Sequence, residues 1–206
     1  MELESAFKPM PLGGWDPLGL RPRFGTYRGA IRLLLGELEG WSGRLARYED
    51  PRWDEVRRLV FICTGNICRS PYAEYRARAL GLPASSFGLS ASTGAPADAI
   101  ARRCAARRGI DLEPHRARED ADFEILAGDL LLAMEPRQGP LVVARFAAAP
   151  CQITLLGLWS TPRRPHIHDP HRLSEAYFDR CYAVIDSAIA AIGERMRRAG
   201  AGAAER

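Results

Sequence analysis

The run Cys63-Thr64-Gly65-Asn66-Ile67-Cys68-Arg69-Ser70-Pro71 sets a thiol and a guanidinium at the two ends of a short loop of small and turn-forming residues. A loop of this kind that leads into a helix presents several unpaired backbone N–H groups and the positive end of the helix dipole, so it suits a dianion. Arg69 adds a planar fork that grips two phosphate oxygens. The field that attracts a phosphate also favours thiolate over thiol at Cys63. Five loop residues between Cys63 and Arg69 place the sulfur beneath a bound phosphorus and the guanidinium beside it. In-line attack by sulfur on phosphorus is the chemistry this spacing allows.

The elements around the loop must deliver that geometry. Leu59-Val60-Phe61-Ile62 is β-branched, aromatic and apolar, and reads as a buried strand ending at Cys63. Ser70 and Pro71 read as the N-cap and first position of a helix running to about Leu80, and the Ser70 hydroxyl is in reach of the Cys63 thiolate. Asn66 stands where a left-handed loop residue is expected, with a side chain able to hold the loop's shape. A Walker-type loop is excluded, because Lys8 is the chain's only lysine. Further strands are expected at Phe87 to Ala91, Asp129 to Ala133 and Gln152 to Leu156, with helices from Pro96, over Pro136 to Phe146, and along the stripe Tyr182, Ile185, Ile189, Ile192 and Met196. Alternation of strands with helices predicts an α/β fold, an open parallel sheet of about four strands with the loop at the carboxyl end of the first.

The stretch Val60 to Pro71, with Ala73-Glu74, closely resembles the low-molecular-weight protein tyrosine phosphatase family. That resemblance implies a cysteinyl-phosphate mechanism with Cys63 as nucleophile, Arg69 as phosphate clamp, and Thr64, Gly65, Asn66, Ile67, Cys68 and Ser70 lining the phosphate cradle, with no cofactor. Asp169-Pro170 is by itself ordinary turn chemistry. The resemblance makes Asp169 the general acid, since the family carries an aspartate before proline ahead of the final helix. His171 then stands where the family usually has an aromatic pocket wall. Cys68 is a candidate redox partner for Cys63, because a second thiol on the loop diverts sulfenic acid to a disulfide. The segment from Ile153 to Phe178 resembles bacterial members associated with exopolysaccharide kinases, which implies a tyrosine-phosphorylated autokinase as partner. Three alternatives stay open. An arsenate reductase would need two further cysteines close together, whereas Cys104, Cys151 and Cys181 are isolated in sequence. A protein-arginine phosphatase usually has a small polar residue at the position of Ile67. A non-catalytic phosphate-binding module has no need for both Cys63 and Asp169.

The chain of 206 residues carries a formal charge of +4, with both signs interspersed, which does not indicate nucleic-acid binding. Five cysteines without a framework spacing suggest a reducing, cytoplasmic setting. Neither a membrane span nor a secretory leader is expected. Residues 1–57 read as an extension outside the resemblance, a Pro/Gly-rich arm followed by an amphipathic helix along Tyr27, Ile31, Leu34, Leu35, Leu38 and Leu45. Its apolar stripe needs cover from its own domain or from a second subunit, so a homodimer through this helix is a candidate. Residues 58–200 form the expected phosphatase domain and 201–206 an expected disordered tail. His166, His168 and His171 are expected as solvated loop histidines, with no metal site, because no cysteine or further carboxylate completes a ligand set.

Overall fold

Strand β1 (Arg58–Cys63) is buried on both faces, as its unbroken apolar sequence requires. The computed structural model describes residue 31 and residues 43–204. Within them β1 pairs in parallel with β2 (Ala84–Gly88) on one side and with β3 (Asp129–Ala133) on the other, and β4 (Cys151–Leu155) extends the sheet beyond β3. The order is β2-β1-β3-β4. The chain leaves β1 toward β2 and later returns to β1's other side, so the strand order reverses beside the carboxyl end of β1. Open parallel sheets place their ligands in that crevice.

Helices cover both faces. Leu59, Phe61 and Cys63 face a core built with Tyr72, Ala73 and Ala77 of α1 (Arg69–Ala79), Ala101 and Cys104 of α2 (Ala99–Ala106), and Phe178, Tyr182, Ile185 and Ile189 of α4 (Glu175–Ala204). Val60 and Ile62, pointing the other way, pack with Phe87, Leu131 and Val142 of α3 (Gln138–Arg145). The rings of Tyr72 and Tyr182 stack at 3.6 Å and lock α1 to α4.

Two expectations need correction. The second strand begins at Ala84 rather than Phe87. Ala84-Ser85-Ser86 gives little apolar signal, yet all three are buried, and the strand stops at Gly88 because the chain there lies against the loop after β1. A Cβ at Gly88 would come 2.6 Å from the Thr64 carbonyl oxygen. The last helix runs through Ala204, so 201–204 are helix rather than tail. Alanine-rich sequence sustains a helix once it is nucleated by packing. Residues 43–57, outside the resemblance, pack on the domain that carries the loop, one of the two kinds of cover expected for Leu45. Leu45 and Tyr48 bury against Ala133, Leu155 and Leu158, and the Thr154 hydroxyl donates to the Tyr48 carbonyl at 2.5 Å. Trp53 meets Trp159 edge-on at 4.9 Å.

Of the expected amphipathic stripe, Ile31 is helical and exposed and Leu45 is buried. Its other members lie outside the described residues. Among the described residues no helix is long and apolar enough to cross a membrane. Tyr48 approaches so closely that a Cβ at Gly139 would lie 2.5 Å from its hydroxyl. Tyr48→Ala should therefore cost about 3 kcal/mol of stability, the lower end for truncating a buried aromatic, with little change in turnover of a small aryl phosphate. Urea denaturation beside a rate assay checks both.

Candidate active site

Cys63 ends β1 with its side chain buried, and two groups converge on its sulfur. The Asn66 backbone N–H donates to Sγ at 3.2 Å, and the Ser70 hydroxyl lies 3.0 Å from it. The direction of the second contact follows from the partners further out. The Arg118 backbone N–H can only donate, so the Asn66 atom it meets at 2.9 Å is the carbonyl oxygen Oδ1, and the amide orientation is determined. Asn66 Nδ2 then donates to Ser70 Oγ at 2.9 Å and to Ser86 Oγ at 2.8 Å. Ser86 passes its own proton to the Glu74 carboxylate at 2.6 Å. With a lone pair taken by Asn66, the Ser70 hydroxyl has its proton free to point at the sulfur. Two donors thus converge on the one sulfur and fix its position at the base of the loop.

Asn66 adopts φ +51°, the left-handed conformation its position suggested. Its carbonyl meets His115 Nε2 at 2.8 Å, which requires the proton on that nitrogen. Burial lowers the His115 pKa, keeping the ring neutral. The expectation that Ser70 caps the helix is corrected. The helix begins at Arg69 with Cys68 as the preceding residue, and no side chain caps it. Ser70 sits inside the first turn, with Pro71 after it, because its hydroxyl is engaged with Cys63 and Asn66. The uncapped helix start leaves first-turn N–H groups available to an anion.

Arg69 is 1% exposed and carries the site's positive charge. Its Nη1 donates to Glu135 Oε1 at 2.7 Å and to the Ile167 carbonyl at 2.8 Å, and its Nη2 donates to Asp169 Oδ2 at 2.9 Å. Nε has no acceptor among the described residues. The guanidinium is thus anchored through Nη1 and presents its Nε/Nη2 edge, the edge that grips two oxygens of one anion. Burial opposes ionisation of Glu135, yet Arg69, with hydrogen bonds from Arg137 and Arg69 and the nearby His166, holds its carboxyl down at about 2.

The fold thus brings Asp169, 100 residues away in sequence, onto Arg69. Thr64 is exposed, Gly65 and Ile67 are half-buried and Cys68 is buried along the same loop. The Tyr182 hydroxyl lies 3.3 Å from the Cys68 carbonyl and ties the loop's end to α4. His171 stands at the mouth, its Nδ1 3.9 Å from Cys68 Sγ. The histidines do not all behave as expected. His166 is buried with Nδ1 3.8 Å from Glu135, because the loop carrying it folds beneath Arg69 rather than into solvent.

Residues 58–201 match the family model described as low molecular weight phosphotyrosine protein phosphatase. Etp of Escherichia coli K12, a low molecular weight protein-tyrosine-phosphatase, is 34% identical over 142 residues, which cover 68% of this chain and 95% of Etp. This chain belongs to the low molecular weight phosphotyrosine protein phosphatase family. Its fold matches Vibrio vulnificus Wzb in complex with benzylphosphonate at 29% identity, with a TM-score of 0.58, covering 67% of this chain and 97% of that one. It also matches the YwlE arginine phosphatase of Geobacillus stearothermophilus at a TM-score of 0.60, covering 69% and 94% of the two chains. That likeness, at 23% identity, is one of fold alone.

Ser86, His115, Arg118 and Glu135 brace the loop without having been expected from the sequence, and Glu74 stood there only as part of the motif. Only Glu135 had a signal, a carboxylate one residue past the buried run Leu130 to Met134 at the ligand-binding end of the sheet. The Glu135 carboxylate has its folded-state value depressed from 4.5 to about 2. Its contribution to stability is therefore complete above about pH 4.5 and is lost as pH falls toward 2. Glu135→Gln leaves Arg69 short of a buried partner and should cost about 3–5 kcal/mol at pH 7. Urea midpoints at pH 7, 4 and 3 should fall less steeply with acid in the variant than in the native chain. Parallel slopes would remove Glu135 from this role.

Proposed function

We propose that this chain hydrolyses phosphotyrosine in proteins through a cysteinyl-phosphate intermediate. The observation that carries the reading is the shared guanidinium. Arg69, on the loop of Cys63, reaches Asp169 at 2.9 Å and so puts nucleophile, clamp and acid around one small space. A phosphate on the Nε/Nη2 edge of Arg69 competes with Asp169 for the same cation and frees the carboxyl to face the leaving group. In the first step the Cys63 sulfur forms a bond to phosphorus while the phosphorus–phenol oxygen bond breaks, and Asp169 in its acid form gives its proton to the departing oxygen. In the second step water attacks phosphorus, the sulfur leaves as thiolate, and Asp169 takes the water's proton. Ser70 and the Asn66 N–H steady the sulfur as it attacks and again as it leaves, and Arg69 with the loop N–H groups carries the charge on the equatorial oxygens.

Ile67 favours an aromatic phosphoester. It is apolar and half-buried on the cradle, where the arginine-directed relatives usually have a small polar residue. The related Wzb binds benzylphosphonate, a phenyl group one carbon from phosphorus. Among protein substrates a tyrosine-phosphorylated autokinase of an exopolysaccharide system fits the likeness of the Ile153 to Phe178 segment. Phosphotyrosine and phosphoarginine peptides assayed side by side decide the substrate class, and faster release from phosphoarginine would overturn the reading.

Cys63→Ser should abolish turnover and leave phosphate-analogue binding within a few-fold, since the N–H cradle and Arg69 remain. Asp169→Asn should slow phenyl phosphate by about 10²–10⁴ and activated aryl phosphates far less, because only poor leaving groups need the proton. Equal losses across a leaving-group series would take the acid's role from Asp169.

A further inference from the structure

Beside the reacting sulfur, three ligand-type side chains from three separate elements converge. Cys68 closes the loop, Asp98 precedes α2, and His171 follows Asp169-Pro170. Cys68 Sγ, a carboxylate oxygen of Asp98 and His171 Nδ1 all lie within 4.8 Å of one another. Nδ1 is 3.9 Å from Cys68 Sγ and 3.6 Å from Asp98 Oδ2. A proton relay of cysteine, histidine and aspartate needs the thiol on one ring nitrogen and the carboxylate on the other. Here both address the same nitrogen. Lone-pair donors gathered round one point form a ligand set rather than a relay.

The set is also braced from behind. Asp98 Oδ1 accepts from the Ile100 and Ala101 N–H groups at 2.9 and 3.1 Å, which fixes the carboxylate and leaves Oδ2 turned to His171. Burial first, then the negative charge of Asp169, Asp98 and Cys63 against the opposing Arg69, raises the Cys68 pKa, so an ion bound here must displace the thiol proton. In a tetrahedral zinc site the ligand atoms stand about 3.4–3.6 Å apart, given metal–ligand distances of about 2.0–2.3 Å. The His171–Asp98 gap of 3.6 Å falls at the top of that range, the His171–Cys68 gap of 3.9 Å exceeds it by a few tenths of an ångström, and Cys68 and Asp98 lie within 4.8 Å of each other, so a bound ion would draw the thiol inward.

We propose that Cys68, Asp98 and His171 bind a divalent metal ion of the zinc type, with solvent in the fourth position, and that occupancy blocks the phosphate loop. Thiolate, imidazole and carboxylate together suit a borderline-soft ion better than magnesium or calcium. Binding forms the sulfur–metal bond, releases the Cys68 thiol proton to solvent and involves no redox change. The blocking half rests on the phosphatase reading: Cys68 belongs to the cradle, and the His171 backbone N–H donates to Asp169 Oδ1 at 3.1 Å, so a metal on His171 also draws on the acid. This assignment replaces the expectation that the site lacks a metal: Cys68 and Asp98 stand far from His171 in sequence and meet it only in the fold.

The test uses the full chain carrying Cys63→Ser, which removes the competing thiolate, titrated with Co²⁺ as a spectroscopic stand-in and then with Zn²⁺. One Co²⁺ per chain is expected, with a thiolate-to-metal absorption band that Zn²⁺ displaces. Adding Cys68→Ser should abolish the band, and adding His171→Gln should weaken Co²⁺ binding at least tenfold, with melting transitions in chelator showing that the variants stay folded. In the chain with Cys63 intact, Zn²⁺ should stop aryl phosphate turnover reversibly, and His171→Gln should need at least tenfold more. A band that is absent in Cys63→Ser, or affinity unchanged by His171→Gln, overturns the site. Metal binding without inhibition overturns the blocking half. Absence of hydrolysis in the metal-free native chain would instead sink the phosphatase reading, and the Co²⁺ titration would still be readable.

Discussion

Arg69 brings a full positive charge into a position that is 1% exposed, and the surrounding structure depends on how that charge is held. An isolated buried cation is costly, so opposite charge and carbonyl oxygen must meet it. Glu135 at the end of β3 and the Ile167 carbonyl take one terminal nitrogen, and this ties the loop after β1 to the neighbouring strand and to the segment before α4. What remains is the other edge of the guanidinium, shared in the free protein with Asp169. One fixed cation therefore joins the loop after β1, the end of β3 and the segment that carries Asp169.

Asn66 does for the sulfur what Glu135 does for the guanidinium. Its left-handed backbone turns the N–H toward Cys63 while its carbonyl meets His115. Its amide links Arg118, Ser86 and Ser70. Every donor and acceptor of that side chain has a partner, and a fully satisfied buried network is rigid. The Cys63 sulfur is thus positioned through Asn66 and Ser70 by a second layer of residues, Ser86, His115 and Arg118. At His171, where the resemblance leads one to expect an aromatic, an imidazole lies 3.9 Å from Cys68 Sγ and 3.6 Å from Asp98 Oδ2.

The fold was readable where one physical signal dominated. Strands β1 and β3 are unbroken apolar runs with no other explanation, and the stripe of α4 repeats at helical spacing. Strand β2 was displaced because Ala84-Ser85-Ser86 is buried without being apolar, its serines serving the network. In the site, the loop was readable because Cys63, Asn66, Arg69 and Ser70 act within a few residues of one another. Asp169 looked like turn chemistry until a family pattern reassigned it. Glu135 stands just past a buried run, but its partner Arg69 lies 66 residues away, and His115 and Asp98 meet Asn66 and His171 only in the fold, and a lone acid or histidine carries no periodicity. Ser70 misled for a related reason, since a serine before proline reads alike whether its hydroxyl caps the helix or serves a thiolate.

The central claim is that Arg69 stays on Glu135 and offers its remaining edge to a phosphoryl group above Cys63. A crystal structure with orthovanadate tests it most directly, since vanadate mimics the five-coordinate phosphorus. The account predicts a Cys63 sulfur–vanadium bond, Arg69 Nε and Nη2 each on an equatorial oxygen, Nη1 still on Glu135, and Asp169 moved from Arg69 to the apical oxygen. Vanadate bound away from Cys63, or Arg69 swung off Glu135 to reach it, would contradict it.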